Sequence, residues 1–221
     1  MITNPDAVTV LCYGDSNTQG ERPSDYDLGR WPADVRWTGQ LQDLLGDGFS
    51  VIEEGLGGRT TDVDYADRVG KNGRTYLRPC LDTHTPLDIV VLMLGTNDLK
   101  IVFDRSADQI AAAVGGLLDD IETYGVGRAG PPKVILLSPA PVDDTKPGYY
   151  ADEIPRYDTA SVAKSRELAD RLRALAEKRG HLFADIGIVA EVGDDGVHLT
   201  RDSHSAVAAL VAARISDALA R

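Results

Sequence analysis

Tyr13-Gly14-Asp15-Ser16-Asn17-Thr18-Gln19-Gly20 closes an apolar run, Val8-Thr9-Val10-Leu11-Cys12, and places a serine in a tight polar turn. A strand that stops at a Gly-Asp-Ser turn ahead of a helix exposes the hydroxyl at the carboxyl edge of a sheet. Open α/β folds carry their chemistry at that edge. Ser16 is therefore the candidate nucleophile. A serine in such a turn also serves as a simple helix cap, so its meaning depends on what the other strand ends carry.

Working outward, five short apolar runs bounded by turn residues predict strands over Val8 to Tyr13, Phe49 to Glu53, Ile89 to Leu94, Lys133 to Leu137 and His181 to Asp185. Helical spacing lies between and after them. Trp37, Leu41, Leu44 and Leu45 share one face, as do Ile110, Val114, Leu117, Leu118 and Ile121. Leu168, Leu172 and Leu175 repeat the spacing, and Val207, Leu210, Val211, Ile215 and Leu219 form the last helix. Alternation of this kind calls for a parallel sheet covered on both faces. The continuous run Ile89-Val90-Val91-Leu92-Met93-Leu94 fits the central strand.

Two stretches lack periodicity. Glu21 to Val35 holds two prolines, and Pro139 to Tyr157 holds four prolines with Tyr149, Tyr150 and Tyr157. Loops longer than about 12 residues in a compact domain usually act as lids, pocket walls or contact surfaces.

The chain of 221 residues is long enough for one α/β domain with a sizeable core, and residues 1–221 are read as a single domain. Its 23 basic and 35 acidic residues give a net charge of -12, and the basic residues are scattered. Nucleic acid is not an expected partner. Cys12 and Cys80 show neither a CxxC spacing nor a disulfide framework, so no metal and no cofactor is expected. The first residues lack a basic-then-apolar leader, and no apolar run approaches the roughly 18 residues of a membrane span. A cytoplasmic, membrane-free protein is expected.

Ester hydrolysis needs a nucleophile, a base, a group that orients the base and donors for the oxyanion. Asp195-Gly196-Val197-His198 lies in a loop before the last helix. In a compact turn Asp195 can accept the Nδ1 proton of His198, leaving Nε2 for Ser16. Gly95-Thr96-Asn97-Asp98 follows the central strand, so the Asn97 amide can point to the same edge. Gly55-Leu56-Gly57-Gly58-Arg59-Thr60-Thr61 follows the second strand, where glycine lets the backbone present an N–H. Each piece alone also reads as capping or turn chemistry; together, at independent strand ends, they converge.

The order Gly14-Asp15-Ser16, Gly58, Gly95-Thr96-Asn97-Asp98 and Asp195-x-x-His198 resembles the SGNH hydrolases, also called the GDSL esterase and lipase superfamily, over residues 14–198. More narrowly, Asp34-Val35-Arg36-Trp37-Thr38-Gly39, Glu53-Glu54-Gly55-Leu56 and Arg59-Thr60-Thr61 resemble its arylesterase and acyltransferase branch. The resemblance implies a flavodoxin-like three-layer α/β/α sandwich with five parallel strands. It implies Ser16 as nucleophile, His198 as base and Asp195 as orienting partner, with an oxyanion hole from the Ser16 N–H, the Gly58 N–H and the Asn97 side chain. Asp15 and Trp37 are expected to meet the substrate, and Tyr149 and Tyr150 to wall the pocket. One departure is Asn17, where the name motif has leucine.

The expected activity is hydrolysis of small aryl or alkyl esters through an acyl-enzyme, with acyltransferase or perhydrolase side activity. A carbohydrate O-acetylesterase is the alternative, and a binding protein on an inactive scaffold is the alternative outside enzymes. The branch likeness also implies a homo-oligomer.

Overall fold

The computed structural model describes residues 4–23, 29–153 and 155–220, so residues 24–28 of the first long loop and residue 154 of the second lie outside it. Five strands, β1 (Val8–Gly14), β2 (Phe49–Gly55), β3 (Ile89–Met93), β4 (Lys133–Ser138) and β5 (Leu182–Asp185), form one sheet in the order β2-β1-β3-β4-β5. Every pairing is parallel, with Val10 opposite Val51 on one side and Ile89 on the other. The five expected strands are all present, shifted at their ends by at most two residues. β3 occupies the centre and is buried along its whole length, as its unbroken apolar run requires.

Among the described residues six α-helices accompany the sheet: α1 (Ser16–Gln19), α2 (Trp37–Leu45), α3 (Gly73–His84), α4 (Ala107–Tyr124), α5 (Thr159–Arg179) and α6 (Ser203–Ala220). Alternate strand residues feed two separate cores. Leu11, Tyr13, Val90, Leu92 and Leu136 pack with Leu77 of α3, Val114 of α4 and Leu172 of α5. Val10, Cys12, Val91, Ile135 and Leu137 pack with Leu41 of α2 and Val211 of α6. Ser106 and Gln109 form a capping box at the start of α4, and Asp158 and Ser161 do so at α5. Leu44 and Leu219, expected on buried faces, are exposed in the last turns of α2 and α6.

The sequence pattern shows no helix between β2 and β3, yet α3 forms there. Only Gly73, Leu77, Cys80 and Leu81 are buried in it, and Pro79 sits inside it. The apolar stripe is short and a proline normally argues against a helix interior. Asn72 starts the helix by accepting the Thr75 N–H at 3.2 Å. Gly73 is required by close approach, since a Cβ there would lie 2.5 Å from the Thr60 carbonyl oxygen.

The chain leaves β1, forms β2 on one side and returns to form β3 on the other. This reversal opens a crevice beyond the carboxyl ends of β1 and β3, the usual ligand position in open parallel sheets.

Candidate active site

Ser16 opens α1 directly after β1, so its N–H belongs to the donors that a helix leaves without an internal acceptor. Asp15 caps the turn, accepting the Asn17 N–H at 2.9 Å. Ser16 is only 4% exposed, and its Oγ lies 2.9 Å from His198 Nε2. His198 Nδ1 lies 2.5 Å from Asp195 Oδ2. The other Asp195 oxygen accepts the N–H groups of Val197 and His198, each at 2.9 Å. The one-turn offset thus closes the compact turn expected of it, and Gly196, at φ 71°, supplies the left-handed residue. Burial raises the Asp195 carboxyl, but the His198 hydrogen bond and charge and the two backbone donors outweigh it and hold it below the ordinary carboxylate value. With Asp195 ionised, the imidazole keeps its proton on Nδ1 and presents Nε2 to the serine.

Asn97 sits just beyond β3. Its Nδ2 donates to the Arg59 carbonyl at 3.1 Å, and its second hydrogen has only the long contact of 3.5 Å to Asp15 Oδ2. The Gly57 N–H is taken by the Gln19 side chain, whereas the Gly58 N–H has no protein acceptor among the described residues. Gly58 has φ 80°. Ser16, Gly58, Asn97 and His198 all line one cleft of about 270 Å³. Its walls also include Leu56, Val197, Tyr157 and the charged Glu21, Arg68, Lys71, Lys100 and Arg156.

Behind the cleft Asp98 is completely buried and accepts the Thr61 N–H at 3.0 Å and Arg105 Nη1 at 2.9 Å. Burial pushes its carboxyl up to about 6 despite those bonds. It fixes the Gly58-to-Thr61 segment on the β3 end. Arg59, also buried, donates to the Gly14 carbonyl at 2.9 Å and stacks on Tyr13 at 4.2 Å, tying the same segment to β1. The branch-like residues Arg36, Thr38 and Glu53 bind one another at the β2 edge instead of entering the cleft.

Two expected substrate contacts are corrected. Trp37 is fully buried in the α2/α6 core, its indole N–H donating to the Asn17 carbonyl at 3.1 Å, because the first turn of an amphipathic helix faces the sheet. Asp15 is 1% exposed and lies beneath the cleft as the cap of α1; burial pushes its carboxyl up to about 6. Tyr149 is buried against Tyr150 and Tyr157, and its hydroxyl donates to the Asp158 carbonyl, so of the three tyrosines only Tyr157 reaches the cleft wall.

Asn17 has a part that its place outside the motif concealed. Its Nδ2 donates to the Val197 carbonyl at 3.2 Å and its Oδ1 accepts the Leu199 N–H at 2.9 Å, clamping both sides of His198. The signal available was the polar residue itself, where the motif has an apolar one.

Among known proteins, residues 12–206 match the model of the GDSL-like lipase/acylhydrolase family. An aryl esterase from M. smegmatis superposes with a TM-score of 0.88 at 38% identity, over 96% of this chain and all of that one. A carbohydrate acetylesterase from Sinorhizobium meliloti superposes at 0.87 and 36% identity, over 95% and 99% of the two chains. An acetylxylan esterase from Xylanibacter ruminicola is 25% identical over 95% of this chain, which spans only 43% of that protein. No helix among the described residues is long and apolar enough to cross a membrane. A serine, histidine and aspartate in hydrogen-bonded series within such a fold, matched by a family model over most of its length, make this chain a member of the GDSL-like lipase/acylhydrolase family and a carboxylic ester hydrolase.

Proposed function

We propose that the protein removes short acyl groups, acetate first among them, from a polar alcohol through an acyl-Ser16 intermediate. The unbroken series Ser16–His198–Asp195 carries this reading. His198 Nε2 takes the Ser16 proton as Oγ attacks the acyl carbon, and the Ser16 N–H, Gly58 N–H and Asn97 Nδ2 receive the oxyanion. His198 then returns the proton to the departing alkoxide, and water, deprotonated by the same nitrogen, releases the acid and frees Ser16.

The charged cleft wall favours a carbohydrate acetate over a simple aryl ester as the physiological substrate, since polar side chains bind hydroxyls better than an apolar ring. A polar, charged wall also admits water, so hydrolysis is expected to dominate, with transfer to an added alcohol or peroxide the minor outcome. The expected self-association belongs to this proposal too. Exposed Ile101 and Val102 support it, and light scattering at dilute concentration tests it.

The test is release of acetate from acetylated oligosaccharides and of p-nitrophenol from its acetate, butyrate and octanoate, by wild type and Ser16→Ala. Ser16-dependent cleavage with preference for acetate and for the sugar esters is expected. Equal rates with Ser16→Ala would remove the mechanism, and preference for octanoate would remove the substrate class.

A further inference from the structure

In a chain of net charge -12, the walls of the catalytic cleft bring together four cations, Arg68, Lys71, Lys100 and Arg156, against one carboxylate, Glu21. Arg156 is paired with Asp152 at 2.5 Å. Arg68 lies over the Tyr65 ring at 5.0 Å, and no carboxylate among the described residues forms an ion pair with Arg68, Lys71 or Lys100. Lys100 is only 5% exposed, and its Nζ donates to the Tyr65 hydroxyl at 2.9 Å. That hydroxyl in turn donates to Asn97 Oδ1 at 3.4 Å, so the ammonium stands two hydrogen bonds from a proposed oxyanion donor.

A buried ammonium with no carboxylate at ion-pair distance is costly, and a ligand anion at that distance offsets the cost. Burial first, then the Arg156 and Arg68 charges, lowers Lys100 to about 8, which leaves it mostly protonated at neutral pH. The neighbouring cavity of about 550 Å³ shares Arg68, Lys100 and Arg156 but adds Asp64 and Asp67, so the excess of positive charge belongs to the catalytic cleft. Glu21 lies 3.8 Å from His198 Nε2, and its charge also reaches Lys71 and Lys100, as that of the buried Asp15 reaches Lys100, but neither carboxylate forms an ion pair with these lysines.

We infer that Arg68, Lys71 and Lys100 form an anion-binding subsite, and that the preferred ester carries a carboxylate on its alcohol portion, as an acetylated acidic sugar does. The inference rests on the esterase reading for its placement beside Ser16, but the subsite itself is a binding property.

The experiment compares 4-acetoxybenzoate with 4-acetoxybenzamide, two acetates of similar shape that differ by one charge. Each kcat/KM is divided by the hydroxide-catalysed rate of the same ester. Wild type at low salt is expected to favour the benzoate at least about tenfold, the yield of one charge-assisted hydrogen bond. The preference should shrink in 0.5 M sodium chloride and fall toward unity in Lys100→Met. Because Lys100 is buried, Lys71→Gln, at a half-buried position, serves as the second variant and should lower the preference in the same direction. Ser16-dependent cleavage of both esters at equal normalised rates overturns the subsite and leaves the esterase reading intact. If neither ester is cleaved, calorimetric binding of 4-hydroxybenzoate and 4-hydroxybenzamide to Ser16→Ala decides alone: tighter binding of the anion upholds the subsite, and equal binding overturns it.

Discussion

Ser16 and His198 lie 182 positions apart, and the Asn17 side chain holds their two segments in register. Asn17→Ala leaves the buried Val197 carbonyl and Leu199 N–H unpaired, at a cost of about 1–3 kcal/mol. Displacing the base also misaligns the proton transfer, so kcat should fall about 10- to 100-fold with KM little changed. Asn17→Asp, which keeps only the acceptor, should fall between; an unchanged kcat in the alanine variant would make the clamp irrelevant to catalysis. Asn97→Ala should lose about 10²-fold in kcat if its second N–H turns from the long Asp15 contact to the oxyanion. A rise in KM alone would make it a ground-state contact. Ser16, Asn97, Asp195 and His198 were legible because polar residues at strand ends have few other reasons to converge. Asp15 and Trp37, expected at the substrate, and Asn17, given no role, share a single cause: residue type does not tell which way a side chain turns, and each is buried rather than lining the cleft.

The segment from Pro139 to Tyr157, expected as a pocket wall, mostly buttresses the turn that carries the base. The Asp143 N–H donates to the Gly196 carbonyl at 2.9 Å and the Gly148 N–H to the Asp194 carbonyl at 2.8 Å. A Cβ on Gly148 would lie 2.8 Å from the Asp194 carbonyl oxygen and 3.2 Å from the Asp195 Cα. Gly148→Ala should therefore push Asp195 away from His198, lowering kcat while costing about 1–3 kcal/mol of stability. Activity retained at full level in a folded variant would show that the turn holds its shape unaided. The five strands and the four strongly periodic helices could be read from apolar spacing, since burial on a sheet imposes that spacing. The buttress could not, because it acts through backbone groups that every sequence possesses, and α3 could not, because close packing around Gly73 and Leu77 overrides Pro79.

Buried titratable groups pull the stability in opposite directions as pH falls. His204, fully buried beside α2, accepts the Trp37 N–H on Nδ1 at 3.2 Å, while its Nε2 has no partner among the described residues. Burial, then the Arg36 charge, lowers it to about 4. Between the ordinary value near 6.5 and about 4, the unfolded chain binds a proton that the folded chain refuses, so stability falls on acidification, by about 3 kcal/mol at most. Asp15 and Asp98, raised to about 6, act with the opposite sign over about 6 to 3.8, where the folded chain binds protons first and gains stability. His204→Gln should thus gain on wild type between pH 7 and pH 4.5 in urea unfolding, and a difference constant with pH would exclude His204 as the source. The long separation between Ser16 and His198 has a further consequence during synthesis. A ribosome that has released β1 through β4 has made a serine with no base, and reactivity arrives only when the last segment docks against Asn17. Ester cleavage is therefore a natural reporter of completed folding: a chain stalled or clipped before residue 198 carries the hydroxyl but is silent, and cannot acylate itself on the way.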